Sequence, residues 1–367
     1  LQGGGVDLNI PNLGYKKDSG FVFNPVRPLI QNLDDLPLPD RDMFSGVEDF
    51  KSSMLYLCGR GCTFKCTFCA NSVFRDHYSK DQRWVRIQSV DRCFEELNAL
   101  RDKYDTKTFQ IQDDVFMLNK KWMREFCERY PSEVGVPFQV TGYPSIIREE
   151  DIRLLKEAGC FFLQVGVQSL NAENRKKILL RHETNEHVAN CIDWCRKYDL
   201  GISIDYIFFP WESNEEDQLA AARFFHEHPP SRIANFYLTY LPGTAIINYA
   251  LGAGYLEEKD MEGIKAGRNA HYHAGGVFKD EKETRKFFDN FYNFFIFLII
   301  FPKSFGPFLF RTRAYKYARF FPKTPLIIIK ELVLTLISKR FATSPVFFKY
   351  FKYYTKNIGS LIFGAYK

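Results

Sequence analysis

Gly59-Arg60-Gly61-Cys62-Thr63-Phe64-Lys65-Cys66-Thr67-Phe68-Cys69 holds three thiols within eight residues, spaced C-x3-C-x2-C. A loop this short can wrap all three around one metal centre, because no core element passes between them. Zinc asks for a fourth protein ligand at matching spacing. The sequence offers no second C-x2-C and no His-x3-His, so Cys58 would have to supply that thiolate from a strand end. Three thiolates alone suit a 4Fe–4S cluster with one iron left open to a further ligand. The competing readings are a zinc knuckle and a cluster of buried thiols.

Outward from the loop, the chain alternates short apolar runs with helical periods. Strands are predicted over 54–58, 108–112, 137–141, 161–166, 202–209 and 235–240, apolar on both faces as in a parallel sheet covered by helices. Between them Ser89 and Asn119 read as helix caps, Gly159 as a C′ glycine and Ser213 with Glu216 as a capping box. Another helix, striped by Val188, Cys191, Ile192 and Cys195, is expected to run to Gly201. Cys191 and Cys195 read as core, not as chelators. Repeated strand–helix units mean an α/β fold, with about six units as an open sheet or partial barrel. The cysteine loop follows the first strand, at the carboxyl end where such folds keep their chemistry.

Here the sequence resembles the radical S-adenosylmethionine (SAM) superfamily, over about 51–256. The resemblance implies that Cys62, Cys66 and Cys69 bind a 4Fe–4S cluster and that the open iron takes the amino and carboxylate groups of SAM. It further implies that electron transfer from flavodoxin or ferredoxin cleaves SAM to a 5′-deoxyadenosyl radical. Carried over one by one, Phe68 stands where family members place an aromatic near adenine. Asp113 and Asp114 stand near the SAM amino group, Gln168 and Ser169 in the ribose region Gly-x-Glu-Ser, and Arg181 near the SAM carboxylate. Gln168 departs from the commoner Glu and can hydrogen-bond a hydroxyl without charge. Pro210-Trp211-Glu212-Ser213 resembles the family's Pro-Gly-Glu-Thr turn, with Trp211 in place of Gly.

Residues 1–50 are rich in Gly, Pro and Asp and read as an extended connector. Asn24-Pro25-Val26-Arg27-Pro28 and the run from Leu33 to Asp40 resemble the link from a cobalamin-binding domain, which makes cobalamin an optional third cofactor. Leu1 opens no signal-peptide pattern, and the natural start is expected upstream. Among 367 residues, 26% are charged and 46% hydrophobic, which excludes wholesale disorder. Nine scattered or clustered cysteines point to a reducing compartment, so a cytoplasmic location is expected.

The segment 257–367 is expected to be a basic, aromatic-rich helical extension. From Thr284 onward 15 Lys and Arg face two acidic residues, a net +13, and 17 of the 37 Phe lie there. Uncharged runs such as 291–301 are too short to span a bilayer. Basic and aromatic faces suit a helix lying peripherally on a membrane; the alternatives are nucleic acid, which is disfavoured, and a cap that buries its Phe. His271 and His273 read as surface or substrate-loop residues. The function expected is radical modification of an unreactive carbon, with methyl transfer as one outcome. Its expected substrate is a small molecule, or a lipid-linked or glycan intermediate. A tRNA-modifying enzyme and a non-catalytic iron–sulfur or zinc interaction protein are the alternatives.

Overall fold

Runs of apolar residues only three to nine long cannot bury themselves alone, and here they pair side by side under amphipathic helices. The computed structural model describes residues 7–18, 20–44, 46, 48–267 and 281–321. An antiparallel hairpin of β1 (Gly14–Lys17) and β2 (Gly20–Phe23) precedes β3 (Met54–Tyr56). β4 (Gly59–Arg60) leads into the cysteines, α1 (Ala70–Asp76) and β5 (Arg86–Ile87) follow them, and β4 and β5 form a two-residue ribbon. The repeating units are then α2 (Val90–Tyr104), β6 (Phe109–Ile111), α3 (Lys120–Glu133), β7 (Phe138–Gly142), α4 (Glu149–Glu157) and β8 (Cys160–Gln168). They continue through α5 (Ala172–Lys177), α6 (Asn185–Lys197), β9 (Gly201–Phe208), α7 (Glu215–Glu227) and β10 (Arg232–Tyr237). Helices α8 (Ile246–Gly252), α9 (Glu258–Lys265), α10 (Glu281–Ile300) and α11 (Gly306–Arg311) follow.

Six strands form one parallel sheet in the order β10-β9-β8-β7-β6-β3. This is the α/β partial barrel expected, and each of the six sequence-read strands is present. Strand order follows chain order, so every crossover joins neighbours and the carboxyl ends share one rim. The helix-facing side is the core: Met54, Ile111, Val140, Leu163, Val165, Ile204 and Phe208 pack against Phe94, Phe126, Leu155, Ile192 and Phe225. Cys191 and Cys195 lie in that core.

Capping follows the sequence at two helices. Ser89 accepts from the Arg92 amide and Asn119 from the Trp122 amide. Gly159 takes φ +93°, as the C′ position requires. Two expectations are corrected. Helix α6 stops at Lys197, with Asp199 in the left-handed region at φ 61°, and Gly201 begins β9 instead. Its glycine serves close packing, since a Cβ there would lie 2.5 Å from the Phe162 ring. The cap of α7 is Asn214, whose side chain accepts from the Asp217 amide, while the Ser213 hydroxyl donates to the Pro210 carbonyl.

Where it is described, the connector contains the hairpin and two short turns of 3-10 helix, Leu33–Asp35 and Asp42–Phe44. Asp18 turns the chain in the left-handed region, and the Asn24 amide donates to the carbonyls of Leu8 and Ile10. Four-residue strands with mostly exposed side chains carry no periodicity, so composition alone could not reveal them.

The aromatic tail is joined to the body where it is described. Phe288, Phe291, Phe294 and Phe295 of α10 are buried in the same core as the sheet. Phe288 stacks on Phe208 at 4.6 Å, Phe295 meets Tyr206 edge-on at 5.6 Å, and the Tyr237 hydroxyl donates to Asp289. The uncharged run that suggested a membrane face is therefore turned inward along α10, as the cap reading required. No helix of the described residues is long and apolar enough to cross a membrane. The runs beyond 321, and His271 and His273, lie outside the described residues.

Replacing a buried Phe by Ala costs about 3–5 kcal/mol. Phe295→Ala should therefore lower the urea midpoint sharply, whereas a tail resting on lipid alone would leave unfolding in solution unchanged.

Candidate metal and cofactor site

Three local constraints shape the cysteine loop. Gly61 sits at φ +85° with the Trp84 carbonyl 2.6 Å from where a Cβ would stand, so only glycine lets the loop turn past β5. Thr67 then pins the loop across the rim. Its amide donates to the Leu179 carbonyl at 3.2 Å and its hydroxyl to the Ile178 carbonyl at 2.7 Å, while its carbonyl accepts from the Ile246 amide at 3.0 Å. The loop is thus held between the segment after β8 and the helix after β10. Finally, Cys69 sits at the N-cap of α1.

Cys62, Cys66 and Cys69 share one cluster with Val115, Tyr143, Phe64 and Phe68. Loss of water pushes all three thiols up, Cys62 to about 11. At Cys66 the Arg181 guanidinium opposes burial, its Nη1 standing 3.7 Å from Sγ. Arg181 is itself buried: Nε donates to Glu183 at 2.6 Å, Nη2 to the Gly166 carbonyl at 2.5 Å, and the guanidinium lies 4.3 Å from the centroid of Tyr143. Tyr143 stacks on Phe64 of the loop at 3.6 Å. This fixed cation favours the anionic form at Cys66 and, more weakly placed, at Cys69, against the loss of water. Cys58 stands elsewhere. It is wholly buried in the main core beside Cys93 and takes no part in the loop cluster.

The other sequence-derived residues divide. Phe68 packs partly buried between the loop cluster and the one built on Leu238 and Ile246. Asp114 stands near the thiols, where its charge raises Cys62 and Cys69, and it accepts from the Asn71 amide at 2.6 Å. Asp113 turns back toward the ribbon, accepting from the Gly59 amide at 3.1 Å, and burial raises it to about 6. Gln168 lies at a break in the β8–β9 register with φ 69°, its side-chain amide folded over Gly166. A non-glycine residue held there is strained, as at many ligand sites. Ser169 does not face the mouth. It is fully buried, and its hydroxyl donates to Glu212 at 2.6 Å.

Glu212 is a residue whose role the sequence did not reveal. It was read only as part of a turn, yet it is 0% exposed and also accepts from Asn174 at 2.9 Å. Fully buried Arg175 donates to the Ser169 carbonyl at 3.1 Å and to Asn185. Together these groups fix the backbone that presents Gln168. The Glu in the Pro210-Trp211-Glu212-Ser213 turn was the available signal.

Residues 56–222 match the family model described as the Radical SAM superfamily. An uncharacterized methyltransferase of Pyrococcus horikoshii is 29% identical over 254 residues, covering 67% of this chain and 53% of the relative. The cytidylyl-2-hydroxyethylphosphonate methyltransferase of Streptomyces wedmorensis is 23% identical over 65% of this chain and 47% of the relative. The chain thus spans about half the length of the curated relatives it matches. Among solved structures, the cobalamin-dependent SAM radical enzyme OxsB shares the fold at a TM-score of 0.54 with 13% identity, over 99% of this chain and 62% of that one.

Burial raises Glu212 from 4.5 to about 7. Its buried carboxyl therefore contributes fully below about pH 4.5, and the contribution is lost as pH rises through 7. Against Glu212→Gln, the parent should lose on the order of 3 kcal/mol between pH 4.5 and 7.5. Anaerobic urea unfolding at both pH values measures it; parallel pH profiles for the two proteins would contradict the assignment.

Proposed function

The chain carries a domain of the radical SAM superfamily, and on that premise we propose that it is an enzyme that uses a 4Fe–4S cluster and SAM to modify an unreactive carbon of a small molecule, with methyl transfer as the outcome. The observation that carries the reading is the trio Cys62, Cys66 and Cys69 gathered in one pinned loop beside Arg181, with Cys58 excluded. The donor chemistry fits, since Cys62, Cys66 and Cys69 pack around one small cluster and a cluster's iron would replace their protons, although among the described residues no three such side chains already stand in metal-holding geometry. When bound, the cluster and SAM supply a reductive cleavage that yields a 5′-deoxyadenosyl radical.

The chain's own residues hold and orient. Cys62, Cys66 and Cys69 are the metal ligands in this reading. Arg181, already committed to Glu183 and the Gly166 carbonyl, acts as a fixed positive charge behind Cys66 and stabilises its thiolate. Asp114 and Gln168 offer hydrogen-bond partners for the amino and ribose groups of SAM, and Phe68 an apolar face for adenine. Asp113 and Ser169 support these from behind, through Gly59 and Glu212. Phe64 and Tyr143 keep water from the thiols.

Methyl transfer is favoured by two relatives whose names are methyltransferases. Cobalamin as methyl carrier rests on the connector's resemblance to a link from a cobalamin-binding domain. Flavodoxin or ferredoxin is the electron donor of the reading. A location in the cytoplasm fits thiols that must stay reduced. The lipid-linked reading keeps no support from 291–301, because the described Phe of α10 are turned into the core; the runs beyond 321 lie outside the described residues.

Anaerobic reconstitution tests the proposal. Replacing Cys62, Cys66 or Cys69 by Ala should abolish iron loading, and Cys58→Ala should retain it. SAM should alter the EPR signal of the reduced cluster, and dithionite should release 5′-deoxyadenosine. Equal dependence on Cys58 would instead indicate a four-thiolate structural site.

A further inference from the structure

The sheet has two faces, and they differ in chemistry. Strand side chains alternate, so residues next to the core positions point into the concave side of the partial barrel. There the strands present Gln110, Gln139, Thr141, Gln164, Ser203 and Asp205, which are neighbours by register: Gln110 with Gln139, Thr141 with Gln164, Gln164 with Ser203. Some are already joined. Gln110 donates to Ser53 at 2.8 Å, Gln139 to Gln110 at 3.4 Å, and Gln164 to one oxygen of Asp205 at 2.7 Å. Leu55, Phe162, Ile207 and Phe236 supply apolar ground between them.

Asp205 is the outlier. Its Oδ1 is buried and has no hydrogen-bond partner, although its Oδ2 is held by Gln164. Leaving a buried carboxylate oxygen unmade is costly, and a donor that enters the barrel recovers that cost. Position matters too: Asp205 is in register with Gly166, whose carbonyl is bound by Arg181 beside Cys66. Gly166 carries no side chain, and the Gln168 amide folds over that position. Burial raises Asp205 to about 6, so it is mainly ionised at neutral pH and seeks a donor. The one cation on this face among the described strand residues is Arg232, exposed at the far strand end, whose charge opposes the burial of Asp205 without a hydrogen bond to its Oδ1.

We propose that this face is the substrate chamber and that Asp205 anchors a hydroxyl or ammonium group of a neutral or cationic, hydrogen-bond-rich substrate, such as a polyol or amino sugar. The class follows from the lining. Primary amides serve donors and acceptors alike, one carboxylate takes a donor, and the one cation on this face among the described strand residues, Arg232, stands exposed at the far strand end. An acyl chain would leave the glutamines unpaired. The inference rests on the radical SAM reading above, since it takes the rim beside Cys66 as the reacting end.

The test uses the reconstituted, full chain with SAM and dithionite, and three fractions of an aqueous and organic cell extract. These are polar neutral-plus-basic solutes, solutes retained by an anion exchanger, and chloroform–methanol lipids. 5′-Deoxyadenosine formed without extract tests the radical SAM reading by itself; its absence overturns that reading and not the chamber's chemistry, which binding of the same fractions, followed by thermal shift, still tests. The polar neutral-plus-basic fraction should raise the rate about tenfold, the effect of one charge-assisted hydrogen bond. In Asp205→Ala the ratio of stimulated to unstimulated rate should fall to about one, and in Gln164→Leu, which leaves the carboxylate unsupported, it should fall in part. Stimulation by the lipid or anionic fraction overturns the proposal, as does stimulation by no fraction. An Asp205→Ala variant with lower rates but an unchanged ratio would place Asp205 in the SAM site and overturn it too. If Asp205→Ala fails to fold, Asp205→Asn, similar in shape and uncharged, is read by the same ratio.

Discussion

Everything at the rim depends on Thr67. Its amide, hydroxyl and carbonyl tie the cysteine loop to the segment after β8 and to the helix after β10. A free loop with three thiols would sample many arrangements, and holding them together would cost backbone entropy at each residue. Tying the loop across two distant segments lets the folding of the whole sheet meet that cost. The same tie explains why Thr67 is buried although it lies in a loop. Gly61 completes the constraint, because any side chain there would force the chain off Trp84.

A second, deeper set of polar contacts supports the opposite wall. Ser169, Asn174 and Arg175 come from the end of β8 and the next helix, and Glu212 from the turn after β9. Buried polar groups are costly singly and rigid when they satisfy one another. Glu212 Oε2 and Arg175 Nε remain without partners, so the network is not closed. That incompleteness is consistent with a carboxyl raised to about 7, since only one oxygen is stabilised as an anion. The strained backbone of Gln168 rests directly on this network, which is how a left-handed glutamine can persist at the mouth.

The legibility of the molecule followed physical period. Strands with core residues at alternate positions, and helices with Phe94 or Phe126 on one stripe, are visible because burial repeats. The cysteine loop is visible because its three thiols are close in sequence. Glu212 and Arg175 were not, since their partners lie in other segments and a buried charge has no local signature. Ser169 was misplaced for a related reason: a motif fixes a position along the chain, but the break in register at Gln168 decides which side chain faces the mouth. The tail's composition was equally ambiguous. Phe-rich helices read alike whether they face lipid or a core, and tertiary contacts such as the stacking of Phe288 on Phe208 and the edge-on contact of Phe295 with Tyr206 distinguish them for α10.

Period two also divides the tasks of the sheet. One face, from Met54 to Phe208, is apolar and closed against helices, so substitutions there act on folding. The other face carries amides and Asp205, which contribute little to the core and are free to define what enters. Because the faces share strands but not neighbours, changes on the concave side can alter substrate choice while the fold persists. The loop after the first strand and the bulge at the end of the fourth both lie at the carboxyl ends of the strands. On the proposal made above, this division keeps the cysteines, Thr67 and Arg181 in place while the residues beneath them set the substrate.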